Sequence, residues 1–221
     1  MARDQWDRDE LKELDRQIDL TAEQIADLRM IDVEASSLFK LSYPIEVAVC
    51  GVDMQPESML VKPLPHWDDW SAESQAVHNI SREMLASDGE EAKLVALRIN
   101  ALVQGGFAFS DAPGFDASWL AKLFIDVDVK PMFRLQNYDA LMLPCRKIAA
   151  GFMGPDRVAK LARKVELVYP HTHRAGDDVM QMAAGVRMLV DKDWADWFEN
   201  ADYADLVRSM GRDPHVSRRR K

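Results

Sequence analysis

Two cysteines in 221 residues leave no room for a disulfide framework. Cys50 lies in an apolar strand pattern and Cys145 beside a helical one, and neither has a zinc spacing, so a reduced, cytoplasmic protein is expected. No apolar run reaches membrane length, and the N-terminus is too charged for a signal peptide, so no membrane partner is expected. Basic charge is in deficit: 28 Lys and Arg face 37 Asp and Glu, for a net charge of −9. That balance argues against broad electrostatic gripping of duplex DNA, but not against holding a few nucleotides through metal ions. Internal repeats are absent. The length suits one domain with extensions.

What the chain does contain is a scattered set of acids and one histidine. Leu28 to Glu34 reads as a strand. Strand side chains alternate, so Asp32 and Glu34 project from one face near its end. Two close carboxylates repel unless a proton or a cation lies between them, and hard cations such as Mg²⁺ favour such oxygen donors. The plain alternative is a solvent-facing edge. Two further strands, Pro44 to Val52 and Met59 to Pro63, follow through short turns and make an antiparallel meander. A helical stretch, Glu90 to Val103, leads to a short buried strand, Phe107 to Ser110. The next helix carries Trp119, Leu120, Leu123 and Phe124 on its apolar stripe and Asp116 in its first turn, where an ordinary cap is the competing reading. Asp111, just upstream, reads as a turn residue. Near the C-terminal end, His171-Thr172-His173-Arg174 precedes a helix with Asp177 and Asp178 at its start. Spacing alone leaves Asp177 and Asp178 undecided, and leaves His171 as a competitor of His173.

In order, these segments resemble the DEDDh 3′→5′ exonucleases, the DnaQ and RNase T-like group. Asp32-Val33-Glu34-Ala35-Ser36-Ser37-Leu38 resembles the first motif, D-x-E-T-T-G-L. Tyr43-Pro44-Ile45-Glu46-Val47 resembles the second strand, and the stretch from Val77 through His78-Asn79-Ile80 to Leu85 is similar to H-G-I-T-x-E-M-L. Phe115-Asp116 with Trp119-Leu120 resembles F-D-x-x-F-L; His173-Arg174-Ala175 followed by Asp178 resembles H-x-A-x-x-D, which selects Asp178. The likeness runs from about Met30 to about Val190. Departures are Ala35 for the usual Thr, Ser37 for Gly, Asn79 for a common Gly, and Ser110-Asp111-Ala112-Pro113-Gly114 for the usual H-N-A. They put substrate preference in doubt and remove no ligand.

The resemblance implies an α/β, ribonuclease H-like fold: a mixed five-stranded sheet flanked by helices, with Met132 to Leu135 as the fifth strand. Helices are expected over Asp139–Ala150, Arg157–Val168, Asp178–Val190 and Trp194–Ser209. It implies two divalent cations, Mg²⁺ or Mn²⁺, held by Asp32, Glu34, Asp116 and Asp178, with His173 as the base. Ala35, Ser36 and Leu38 would receive the terminal nucleotide. The expected activity is removal of nucleoside monophosphates from the 3′ end of single-stranded DNA or RNA. The alternative is a non-catalytic nucleic-acid-binding or accessory proofreading subunit on the same fold. Residues 1–27 read as a helical extension, 28–192 as the exonuclease domain, and 193–221 as a helix and basic tail. In the extension Thr21 and Gln24 have capping-box spacing, and its apolar stripe would pack on the domain or, alternatively, join two copies as a homodimer.

Overall fold

A computed structural model describes residues 21, 24, 25, 27–104 and 106–210. Its centre is a six-stranded mixed sheet in the order β4-β3-β2-β1-β5-β6. The strands are β1 (Arg29–Ala35), β2 (Pro44–Gly51), β3 (Glu57–Lys62), β4 (Glu90–Glu91), β5 (Phe107–Ser110) and β6 (Arg134–Asn137). β1 to β3 form the antiparallel meander, while β5 and β6 continue from β1 in parallel. The flanking helices are α1 (Ala72–His78), α2 (Arg82–Asp88), α3 (Ala92–Val103), α4 (Pro113–Asp126), α5 (Tyr138–Ala149), α6 (Pro155–Val168), α7 (Ala175–Val190), α8 (Lys192–Asn200) and α9 (Tyr203–Ser209). None among the described residues is long and apolar enough to cross a membrane.

Strand alternation divides the core in two. Met30, Ala48 and Cys50 face one side, where they join Leu141 and Cys145 of α5 and the apolar stripe of α7. Ile31, Val33, Ile45, Val47 and Val49 face the other, against Val95 and Ile99 of α3 and Leu120 and Phe124 of α4. Asp32, Glu34 and Glu46 continue the first face beyond its apolar part. Both cysteines are free and buried, and burial pushes each thiol up to about 12, so neither is a reactive thiolate.

Three expectations change. The sheet has six strands rather than five, because Glu90 and Glu91 do not begin a helix: they pair with Val61 and Lys62 as β4, and α3 starts at Ala92. The strand expected at Met132–Leu135 is β6, two residues later, and its polar Gln136 is nevertheless buried. The helix expected over Trp194–Ser209 is two helices. Asp191 accepts the Trp194 amide (2.9 Å) to start α8. Asp202 accepts the Ala204 and Asp205 amides (2.8 and 3.2 Å) to start α9. Within this region Phe198 is fully buried and stacks on Trp194 with ring centroids 4.5 Å apart. The capping box forms: the Thr21 amide donates to Gln24 Oε1 (2.9 Å) and the Gln24 amide to Thr21 Oγ1 (3.3 Å). Ile25 and Leu28 of the N-terminal stripe are buried in the first cluster, whereas Leu11, Leu14 and Ile18 and the basic tail from Ser217 lie outside the described residues.

Two junctions beside the sheet are set by backbone conformation and space. Asn79 ends α1 with φ 58°, in the left-handed region, which Asn enters more readily than most residues; a Gly would serve the same bend. Gly89 ends α2 where the chain grazes β3. A Cβ there would sit 2.3 Å from the Leu85 carbonyl oxygen and 2.9 Å from the backbone of Lys62. Neither neighbour is a flexible side chain. Gly89→Ala should therefore destabilise the protein by about 1–3 kcal/mol, read as a lower urea midpoint with an unchanged slope.

Candidate active site

The end of β1 gathers the acids. Asp32 and Glu34 point to the same face, opposite Ala48 and Glu46 of β2, and the register shifts between Glu34 and Ala35, ending the regular pairing. Asp116 enters from the first turn of α4 and is buried. It does not cap that helix, which starts at Ala112 without a side-chain cap. Its Oδ2 accepts a hydrogen bond from Ser110 Oγ at the end of β5 instead. Asp178 enters from the first turn of α7 and is also buried. Thr172 separates the two neighbouring acids: its amide donates to Asp178 Oδ1 (2.8 Å) and its hydroxyl to Asp177 Oδ2 (2.8 Å).

The result is two groups of three carboxylates that share one member. Asp32, Glu34 and Asp178 bring an oxygen each within 4.8 Å of one another, and so do Asp32, Asp111 and Asp116. All four acids expected as ligands thus converge, and Asp111, expected to be only a turn residue, stands with them. Asp178 Oδ2 is buried and has no hydrogen-bond partner among the described residues. His171 Nδ1 lies 3.3 Å from it but without hydrogen-bond alignment.

Burial and mutual repulsion act together on these groups. Asp32 is held well above the usual carboxylate range, first by burial, then by Asp116, Glu34, Asp178 and Asp111. Asp116 is also raised well above it by burial, with the Ser110 hydrogen bond opposing. Burial, Asp178 and Glu46 lift Glu34 to about 7, against the pull of Arg174. Asp178 is raised by burial, partly offset by the Thr172 amide and by His171 and His173. Buried oxygens that resist carrying charge, one of them unpartnered, suit a divalent cation: it would replace the missing hydrogen bond and cancel the repulsion.

The histidine loop is built to the same point. His173 is exposed and left-handed, with φ 57°. His171 packs edge-on against it, ring centroids 4.4 Å apart, and both bring a nitrogen within 4.8 Å of an Asp178 oxygen. Geometry therefore places both histidines at the site. Glu46 fixes the loop. Its buried carboxylate accepts Arg174 Nη2 (2.8 Å) and Nε (3.0 Å), the Ala175 amide (3.0 Å) and Ser58 Oγ (2.9 Å). Since Arg174, the residue before α7, offers no cap of its own, Glu46 caps that helix from β2. Sequence reading passed over Glu46 as a strand residue. The available signal was an acid alternating with Ala48 and Cys50 in an otherwise apolar strand.

Ala35 and Ser36 are buried and Leu38 is strongly exposed. The Ser36 hydroxyl faces inward, donating to Asp69 Oδ2 (3.1 Å) and accepting the Tyr43 amide (3.2 Å), so it shapes the loop rather than lining a surface. Ser37 Oγ donates to the same Asp69 oxygen (2.5 Å). Leu38, Phe39 and Leu41 are left in solvent on this pinned loop. His78 is buried, its Nδ1 accepting the Ile80 amide (3.0 Å) and its Nε2 unpartnered among the described residues; burial lowers it to about 4, so it is neutral.

Comparison with known proteins bears on the family and the fold. The family model described as exonuclease, of the RNase T type, matches residues 30–185. Among curated proteins none matches in sequence. Among solved structures the chain is similar to E. coli exonuclease I in a zinc-bound complex with single-stranded DNA, with TM-score 0.56 and 16% identity, over 78% of this chain and 42% of that one. It is likewise similar to the same enzyme with a dA16 oligonucleotide (0.56, 17%, 78% and 42%) and with a dT13 oligonucleotide (0.54, 15%, 82% and 45%). At such identities the likeness is one of fold, and the chain spans less than half the length of those enzymes.

The crowding has a thermodynamic consequence. A carboxyl group whose pKa is raised on folding binds its proton more tightly in the folded state. Its stabilising contribution is full below the unfolded pKa and is lost as pH rises through the folded one. For Glu34 that window runs from 4.5 to about 7, and Asp32 and Asp116 act in the same direction. In chelator, the melting temperature should fall as pH rises from 5 to 8. Mg²⁺ at pH 8 should restore most of the loss, and Asp32→Asn should flatten the dependence. A melting temperature in chelator that stays level or rises over this range would contradict the repulsive cluster.

Proposed function

Because the chain belongs to the exonuclease family of the RNase T type, with a model match over residues 30–185, we propose that it is a metal-dependent 3′→5′ exonuclease. Its reaction would be hydrolysis of the terminal phosphodiester of single-stranded DNA or RNA, releasing nucleoside monophosphates. The observation that carries this reading is the sharing of Asp32 between two carboxylate groups, each with donors close enough for one cation. Asp32, Glu34, Asp116 and Asp178 would hold two ions, Mg²⁺ or Mn²⁺. Bound there, the ions would supply a water acidified toward neutral pH and charge neutralisation at the leaving 3′ oxygen.

The remaining work falls to the chain's own groups. His173, exposed at the edge of the carboxylates, takes the proton of the attacking water, a general-base role that histidine fills more often than any other side chain. The Glu46–Arg174 pair holds the His173 loop, so the base keeps its place as nucleic acid enters and leaves. The loop carrying Ala35, Ser36 and Leu38 receives the terminal nucleotide, with exposed Leu38 offering an apolar surface to a base. With a net charge of −9, little of the chain attracts phosphate directly, so substrate binding should depend on the cations. Single-stranded ends are favoured as substrate by the similar exonuclease I structures, which were determined with single-stranded oligonucleotides.

Digestion of end-labelled single strands tests the reading. Activity should require a free 3′ hydroxyl, stop in excess chelator and return with Mg²⁺ or Mn²⁺. Cleavage of circular strands as fast as linear ones would indicate an endonuclease, and full activity in chelator would exclude metal-dependent hydrolysis. His173→Ala should lower kcat by about 10²–10⁴-fold while sparing oligonucleotide binding, whereas His171→Ala should cost little. The reverse order would transfer the base role to His171, which lies near the same Asp178 oxygen.

A further inference from the structure

Asp111 lies between β5 and α4, in a bend fixed from within. Ser110 Oγ donates to Asp116 and accepts the Ala112 amide (3.0 Å), so the backbone on both sides of Asp111 is tied to the same centre. The Asp111 side chain is exposed and makes no hydrogen bond or ion pair with a described residue. Its charged neighbours include Asp32 and Asp116, both buried acids, and its presence raises both. An exposed carboxylate with nothing holding it would relax away from such neighbours. Instead it keeps an oxygen within 4.8 Å of an oxygen of each. Asp32 itself is more than nine-tenths buried and turned into this group, with no hydrogen bond to a described residue.

Without Asp111, the Asp116 side of the centre offers two carboxylates, Asp116 and the shared Asp32. With it, each side has three. Cation affinity rises with the number of charged ligands, and a site with two carboxylates completes its shell largely with water and substrate oxygens. Resting on the reading of this cluster as a cation site, we propose that Asp111 is a fifth ligand carboxylate, which keeps the cation beside Asp116 bound before nucleic acid arrives. The consequence is a centre that is filled in the free protein rather than assembled by the substrate.

The test is calorimetric titration of the chelator-stripped full chain with Mn²⁺, without nucleic acid, comparing wild type with Asp111→Asn. The substitution keeps the shape of an exposed side chain, and its melt in chelator should match or exceed that of the wild type, since a repulsion is removed. Two binding steps are expected in the wild type, with one weakened about tenfold or more in Asp111→Asn and the other unchanged. Superimposable isotherms would overturn the assignment, as would a single wild-type step that the substitution leaves alone. Nuclease activity of the wild type is measured separately. An inactive wild type whose Mn²⁺ binding still depends on Asp111 would sink the hydrolase reading and leave this assignment standing. An active wild type with Asp111-independent binding would do the opposite.

Discussion

Carboxylates of like charge do not gather inside a protein without something to hold them, and here the constraint converges on Asp32. It is buried, it stands on the strand at the middle of the antiparallel and parallel halves of the sheet, and both carboxylate groups need it. Three of the other acids reach it from one strand and two helix starts, and Asp111 from the bend after β5. Glu34 comes from the same strand, Asp116 from the first turn of α4 and Asp178 from the first turn of α7. Two helix N-termini thus face the negative cluster, and the positive ends of their dipoles favour negative charge there. That relieves some of the repulsion, yet the group pKa values remain raised. A cation is the simplest completion of the arrangement.

The scaffold supplies the force that opposes this repulsion. Two apolar clusters, one on each face of the sheet, clamp β1 between α7 and α4. The Glu46–Arg174 pair adds a directional tie beside Glu34, on the neighbouring strand. Because the same Glu46 carboxylate also accepts the first amide of α7, one side chain sets the start of that helix, the position of Asp178 along it and the turn that carries His173. With Arg174 partly exposed, the pair adds less net stability than its hydrogen bonds suggest, but losing Arg174 would strip the buried Glu46 carboxylate of two partners, so its main effect is on geometry.

Much of this was readable from residue order. Period-two alternation placed Asp32 and Glu34 on one face, the apolar stripe after Phe115 put Asp116 at a helix start, and the family resemblance rather than spacing chose Asp178 over Asp177. The meander and β5 were legible because their apolar residues alternate or cluster between turn residues. What stayed hidden depends on contacts distant in the chain. β4 is two glutamates, whose strand geometry comes from the close passage of Gly89 along β3 and not from any propensity of their own. Asp111 looks like any turn aspartate until the fold brings it beside Asp32. Glu46 reveals its role only through Arg174, 128 residues away. The break between α8 and α9 was the exception: Asp202 was a local capping signal, masked by the continuous aromatic pattern around it.

In the proposed mechanism one carboxylate centre holds two cations through the shared Asp32. Crystals grown without metal and soaked in Mn²⁺ would show this directly by anomalous scattering. Two peaks about 3.5–4 Å apart are expected, one contacting Glu34 and Asp178, the other contacting Asp116, and both contacting Asp32. A peak away from Asp32, or a single peak that persists at saturating Mn²⁺, would contradict it.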